Sequence, residues 1–448
     1  MRLRRTSPAP PVRHVHLGLG SFFRAHQAWY THRASDADAW GIAAFSGRSA
    51  ELARTLAAQD GLFTLDVRGP DGDELEVVTS LVRTHGADDD DAWLTYLADP
   101  AVAILTTTVT EAGYLRGPDG HLDAEHPDVV ADLARVRTEP SFAGRTAPVR
   151  IAVGLLARRD AGAGPIALVP CDNLQANGAA LRAVVRDAAA LLDPTLPAWV
   201  EENVAFVTTM VDRITPRPTA HDVALVRSLG GYDDPVPVVT EPFSEWVLEG
   251  DFPAGRPRWE DAGARFTDDI EPFEQRKLAL LNGAHSLLAY AGLALGQTTV
   301  SEAIADPRCR DWVEQWWDEA AAHLPQPAGE LDEYRAALVS RFANPAIRHL
   351  LAQIATDGSK KLRERVVPTL LAERAAGRGA AGAARVLAAW VTHVRAGQVD
   401  DVAAERVRAA AQGPLEDAVP RLLDLLGLDD DVVPLVLAQV AELERAAA

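Results

Sequence analysis

Through the first half of the chain, short β-rich runs alternate with amphipathic helical stretches, and near residue 270 the alternation stops. HVHLGLG (14–20), WGIAAFS (40–46), VAILTTT (102–108), PIALVPCD (165–172) and VAFVTTMV (204–211) read as strands. ELARTLAAQ (51–59) and NGAALRAVVRDAAALL (177–192) between them carry helical periodicity. Strands separated by helices cannot close as hairpins, so the pattern predicts an α/β sheet. Beyond it, RDWVEQWWDEAAAHL (310–324), LDEYRAALVSRF (331–342) and AARVLAAWVTHVRA (383–396) predict helices, with no strand-like run among them. The expected organisation is an α/β domain over 1–268 followed by an all-helical domain over 269–448, with the break in the Pro-, Gly- and charge-rich stretch 251–269.

The formal charge of −20 excludes nucleic acid or an anionic membrane surface as the main partner, because both repel the chain at long range. Any anionic small molecule then needs a local cationic pocket. The two cysteines, Cys171 and Cys309, are too few for a disulfide framework and lack metal-ligand spacing, so a reducing cytoplasm and no metal ion are expected. The basic start MRLRRTSPAPPVRH has no apolar segment behind it and does not read as a secretory signal. No run approaches the length of apolar residues that a membrane-spanning helix requires.

Gly18 and Gly20 end the first strand just before a helix. This is half of a dinucleotide fingerprint, in which small residues let the backbone approach a pyrophosphate. The third glycine is missing, since Phe23 stands there, and Arg24 is either a phosphate contact or a surface arginine. The end of the second strand is where an acid would read a ribose 2′-hydroxyl. Here Ser46, Arg48 and Ser49 leave room for a 2′-phosphate.

Only Lys277, Lys360 and Lys361 are lysines among 44 basic Lys and Arg side chains. Arginine cannot be deprotonated, whereas a buried lysine can act as a base, so a retained lysine is either a solvated survivor or a site that needs an amine. On a regular helix at about 100° per residue, Lys277, His285 and Asn282 in KLALLNGAHS project at roughly 0°, 80° and 140°, with leucines on the same side. Polar groups inside an apolar stripe need partners or ligands. A lysine base, amide donors for a developing oxyanion and an imidazole suit oxidation of a secondary alcohol by hydride loss to a nicotinamide. PCDNLQANG (170–178) and TMVDRITPRPT (209–219) follow strands and add Asn173 and Asp212 as candidate partners, although Asp172 and Asp212 also suit turn caps.

Taken together, HLGLGSFFRAHQAWY (16–30), AAQDGLFTL (57–65), TVTEAGY (108–114), PCDNLQANG, TMVDRITP, EPFSEWVLEGDFPAGRPRWE (241–260), KLALLNGAHS and RFANPAIRHLLAQIATDGSKKL (341–362) resemble the mannitol dehydrogenase family over nearly the whole chain. The branch that they resemble most is fructuronate reductase. The resemblance implies a Rossmann-type N-terminal domain, a helical C-terminal domain, no metal, and hydride transfer between NAD(P) and a polyol, ketose or ketohexuronate, NAD(H) being slightly favoured. It places the family's base on Lys277, the oxyanion-binding asparagines on Asn173 and Asn282, and a substrate-orienting imidazole on His285. It also places Asp212 near the substrate, Glu111 beside a proton path, Lys361 on the substrate, and Gly18, Gly20, Phe23, Arg24, Ser46, Arg48 and Thr108 around the cofactor. Mannitol 2-dehydrogenases carry an arginine eight residues before that last lysine; this chain has Gln353. The change favours a hexuronate, whose carboxylate would be met by Lys361, Arg363 and His349. Competing readings are a mannitol/fructose-type or other hexitol or pentitol dehydrogenase and, from another class, a catalytically silent NAD(P)-binding sensor. A monomer or small homo-oligomer is expected.

Overall fold

A computed structural model describes residues 2–447, which form two compact units, one ending at Ile270 and one beginning at Glu271. The first is built on six parallel strands: β1 (Val12–Leu17), β2 (Gly41–Phe45), β3 (Leu81–His85), β4 (Ile104–Thr107), β5 (Ile166–Pro170) and β6 (Val204–Phe206). Their order across the sheet is β3-β2-β1-β4-β5-β6. Every residue of β2, β4 and β5 is buried, because helices cover both faces, and this is why these strands read as continuous apolar runs. One face packs Val15, Leu17, Phe45 and Leu105 against Trp93 and the helices over 147–160 and 177–192. The other packs Ile42 and Ala44 against Leu19, Phe23 and Ala53. Strand order reverses at β1, with β2 on one side and β4 on the other, and the C-terminal ends of strands at such a reversal are where open α/β sheets bind their ligands.

The run 204–211 departs from the single strand expected of it. β6 ends at Phe206, and Thr208–Asp212 begins a second sheet, antiparallel to Glu245–Glu249. The switch leaves Thr209 without a main-sheet neighbour, and the side chain of Asn177 takes that place. Its Oδ1 accepts from the Thr209 N–H at 2.9 Å and its Nδ2 donates to the Thr209 carbonyl at 3.0 Å. Gly178 is needed beside it, since a Cβ there would lie 2.6 Å from Thr208 Oγ1. A third small sheet pairs the hairpin Phe63–Gly69 and Gly72–Val78 with Val238–Thr240.

The second unit contains no named strand among its described residues. The elements that matter for function are α1 (Glu271–Arg276), the turn of π-helix Lys277–Asn282, α2 (Gly283–Ala294), α3 (Pro307–Ala321), α4 (Ala328–Phe342), α5 (Gly358–Arg365) and α6 (Ala381–Arg395). From Gly283 to Gly292 every residue of α2 is buried, which marks a central helix wrapped by others. α3 and α6 pack on it. No helix among the described residues is long and apolar enough to cross a membrane.

Candidate active site

In the first unit the turn after β1 is held tightly. Gly18 has φ +117° and lies so close to β4 that a Cβ would meet Thr108 Oγ1 at 2.5 Å. The Thr108 hydroxyl donates to the Gly18 carbonyl at 2.7 Å, and the N–H groups of Gly18 and Leu19 both donate to the Phe45 carbonyl at 2.9 Å. Gly20 then caps the helical turn Ser21–Ala25, which has no acidic residue in its first turn. At the end of β2, Ser46 is 4% exposed and its Oγ has no hydrogen-bond partner among the described residues. A glycine turn that only a Cβ-free residue can make, beside an orphaned buried hydroxyl at the strand order's reversal, fits a dinucleotide. Gly18, Gly20, Ser46 and Thr108 are the residues that would hold it.

Two expected cofactor contacts belong elsewhere. Phe23 is fully buried and stacks on His16, with ring centroids 3.6 Å apart and planes 10° from parallel. The stacked rings fill the space between this helical turn and β1, where the full fingerprint has a glycine. Arg24 is not at the surface: its guanidinium donates to the Gly20 carbonyl at 3.2 Å and to the Val236 carbonyl. Burial lowers it to about 10, and it serves as an internal tie rather than a phosphate contact. His14 and His16 share the Thr106 hydroxyl at 2.7 Å each. Burial pushes His14 down to about 3 and His16 well below the imidazole range, so both are neutral core groups.

Past β5, Asp172 accepts from the Tyr114 hydroxyl and from the Leu174 N–H at 2.9 Å, which makes it a turn cap. Burial raises its carboxyl, the bond from Tyr114 opposes that rise, and nearby Glu111 adds to it. Asn173 is exposed beside it, Glu111 is half-buried, and Asp212 is buried at the end of its strand. These three therefore stand at strand ends or in the loops beyond them.

The lysine segment of the second unit is not the regular helix that the projection assumed. From Lys277 to Asn282 the backbone closes i→i+5, as in the bond from the Gly283 N–H to the Leu278 carbonyl. Asn282, five residues after Lys277, is carried one turn above it instead of about 140° away. The cause lies on α3. Trp316 Nε1 donates to the Ala279 carbonyl at 3.0 Å and Trp317 Nε1 to the Leu280 carbonyl at 2.9 Å. The indoles occupy acceptors that a wider turn strips of their helical partners. Gly283 makes room, since a Cβ there would lie 2.5 Å from the Trp316 ring. Lys277 and His285 are each only 8% exposed.

At His285, burial and nearby basic groups act in the same direction. Burial holds its pKa far below the usual value, and neighbouring His349, Arg341, Arg365 and Lys277 lower it further. Its Nε2 has no hydrogen-bond partner among the described residues, and its ring meets Phe342 at 4.8 Å and His349 at 5.1 Å. His349 is itself lowered to about 4, by burial and then by Arg341. Lys361 donates to the Ile354 carbonyl at 3.2 Å and to Thr356 Oγ1 at 3.1 Å, and burial followed by Arg365 lowers it. Gln353 is exposed. Arg363 is not part of this cluster: it is exposed and donates to the Leu425 carbonyl. Arg365 takes its place, with Nη1 3.3 Å from Ser286 Oγ and 3.5 Å from the Asn282 carbonyl. Four residues on from Lys361 along α5, it shares that lysine's face, and this spacing is the signal that could have found it.

A 3-2-1-4-5-6 parallel sheet with a glycine turn at its reversal, and a second unit presenting lysine, amide and imidazole, together define a dinucleotide-dependent dehydrogenase. Residues 12–261 match the mannitol dehydrogenase Rossmann domain and 269–425 the mannitol dehydrogenase C-terminal domain. The chain is 36% identical to D-mannonate oxidoreductase of Escherichia coli (strain K12), over 94% of this chain and 89% of that protein. It is 40% identical to D-arabinitol 4-dehydrogenase of Ralstonia nicotianae, over 80% and 77% respectively. Among solved structures, Pseudomonas fluorescens mannitol 2-dehydrogenase in complex with NAD and D-mannitol superposes with a TM-score of 0.81 at 34% identity, covering all of this chain and 96% of that one. D-Sorbitol dehydrogenase gives 0.88 at 29% identity, covering 100% and 99%. The chain belongs to the mannitol dehydrogenase family and is an NAD(P)-dependent oxidoreductase.

Proposed function

We propose that this enzyme interconverts a ketohexuronate and its aldonate, fructuronate and mannonate being the pair intended, with Lys277 as general acid and base. The observation that carries this reading is the gathering of Lys277, Arg341 and Arg365 around His285, in a protein with a formal charge of −20; His349, lowered to about 4, is neutral and adds no charge. A neutral hexitol asks for hydroxyl partners, whereas a carboxylate asks for cations with N–H donors, arginine above all. Bound NAD(P)(H) supplies the hydride in reduction and accepts it in oxidation. In reduction the ammonium of Lys277 gives its proton to the carbonyl oxygen as the carbon gains hydride; in oxidation the free amine removes that proton. A lysine can alternate between the two forms, which an arginine in its place cannot do. The reading assigns Asn282 and Asn173 as amide donors to the oxygen while negative charge develops on it. Neutral His285 orients a hydroxyl of the substrate through its orphaned Nε2.

A second reading, a hexitol or pentitol dehydrogenase, draws support from the similarity to the arabinitol and mannitol enzymes. Steady-state rates with fructuronate, fructose, mannitol and arabinitol, each with both nicotinamide cofactors, separate the two. A clear preference for the neutral sugars overturns the hexuronate assignment, and absence of turnover on all four supports a silent sensor. Within the hexuronate reading, Arg365→Ala raises KM for fructuronate about ten-fold or more and leaves KM for fructose nearly unchanged.

A further inference from the structure

We infer that the adenosine end of the cofactor site is built to accept a 2′-phosphate, so that NADP(H) binds more tightly than NAD(H). The inference rests on the dinucleotide reading of the first unit and deepens it. The N–H groups of Gly18 and Leu19 both bond the Phe45 carbonyl, which fixes the end of β2 directly beside the pyrophosphate turn. In a sheet of this order, the residues that follow this strand meet the ribose 2′ substituent. A site for a bare 2′-hydroxyl places a carboxylate here, which accepts from the ribose and repels phosphate. This chain runs Ser46-Gly47-Arg48-Ser49-Ala50, and its next carboxylate, Glu51, already belongs to the following helix.

Three details of that run point to an anionic ligand. Ser46 Oγ is buried and has no hydrogen-bond partner among the described residues, so a hydroxyl is held there unsatisfied. Arg48 is exposed, and the structure gives it no hydrogen bond or ion pair among the described residues. Gly47 between them has no heavy atom within 4 Å of where its Cβ would stand, which leaves open space beside the loop. Ser49 is already used, its Oγ accepting from the Glu51 N–H at 3.2 Å. Asp88 is a carboxylate near the loop: it packs near Gly86, which itself lies against Ala50. Against that carboxylate and the overall negative charge, an arginine with five N–H donors is the group able to hold a phosphate dianion.

The test is titration calorimetry of the protein with adenosine 2′,5′-bisphosphate and with adenosine 5′-monophosphate, which reads the adenosine site without turnover. The bisphosphate should bind about ten-fold more tightly or better. Arg48→Ala, an exposed position whose thermal melt should match that of the parent, should close the gap and leave monophosphate binding unchanged. Equal binding of the two nucleotides by the parent protein, or a gap that survives Arg48→Ala, overturns the inference while the dinucleotide reading stands. Failure of both nucleotides, and of NADH, to bind overturns the dinucleotide reading as well.

Discussion

The two units organise their functional groups in opposite ways. In the first, Gly18, Ser46 and Asn173 stand at or just past the ends of strands of the parallel sheet, and Asp212 ends the strand that opens the second sheet, so strand ends carry all four. In the second, the groups around Lys277 sit in the middle of a buried helical rod, and their mutual register depends on one turn of π-helix imposed by two tryptophans of another helix. A sheet edge delivers side chains through topology. A helix interior delivers them only through its winding, so a local change of winding redistributes them.

Substitutions can break that contrast, and the largest effect is expected at Lys277. Lys277→Ala should lower kcat by about 10²–10⁴, the range for loss of a general acid or base, while an NADH fluorescence titration remains near the parent value. Lys277→Arg should fail equally, since it keeps the charge but cannot give up its proton. Near-normal turnover by either variant removes the lysine from its role.

Gly283→Ala comes next. Its methyl would overlap the Trp316 ring, and overpacking of this kind costs about 1–3 kcal/mol. Thermal melts should show that loss, and kcat should fall further than stability alone accounts for, because the turn that aligns Asn282 over Lys277 is disturbed. Trp317→Phe should act in the same direction by leaving the buried Leu280 carbonyl without its donor. If kcat per folded molecule is unchanged in both, the π turn is a packing feature only.

The sheet-based half offers the counterpart. Asn177→Ala strands the Thr209 N–H and carbonyl, at a cost of about 1–3 kcal/mol for unsatisfied buried groups. Chemical denaturation should register this, with a smaller change in kcat than Gly283→Ala produces, because topology still sets the strand ends. A drop in kcat larger than that of Gly283→Ala would reverse the comparison.

On turnover the smallest effect is that of pH on two buried imidazoles, which acts through stability. His14 and His349 titrate near 3 and 4 in the folded protein, below the value of about 6.5 for an exposed imidazole. Between those limits the unfolded chain binds more protons, so stability is present above about pH 6.5 and is lost as pH falls towards 4. The melting temperature should therefore decline over that interval, and His349→Gln should flatten the decline. An unchanged profile in the variant would show that His349 charges as freely in the folded state as in the unfolded one.

Most of the α/β half was legible in the chain, because a strand buried on both faces must be apolar throughout and its end must be polar. What the sequence could not show was the direction of single side chains. Phe23 and Arg24 follow the glycine turn and suit a cofactor contact by position, yet one stacks on His16 and the other donates to backbone carbonyls. Arg363 and Arg365 differ by two residues on one helix, about 200° apart, and only the packing of α5 decides that the second turns towards Asn282. The run 204–211 has a continuous strand pattern, and nothing local signals that Asn177 will take over the hydrogen bonds of Thr209.

By itself the sequence determined the alternation that yields a parallel sheet, the apolar runs that bury it, the glycine turn beside β1, and the survival of a lysine where arginine is otherwise the rule. These follow from local propensity, side-chain size and acidity, which each residue carries with it. The tertiary structure alone decided the winding between Lys277 and Asn282. A wider turn gives up regular helical hydrogen bonds, and it persists only where distant groups, here the indole N–H of Trp316 and Trp317, satisfy the carbonyls it releases.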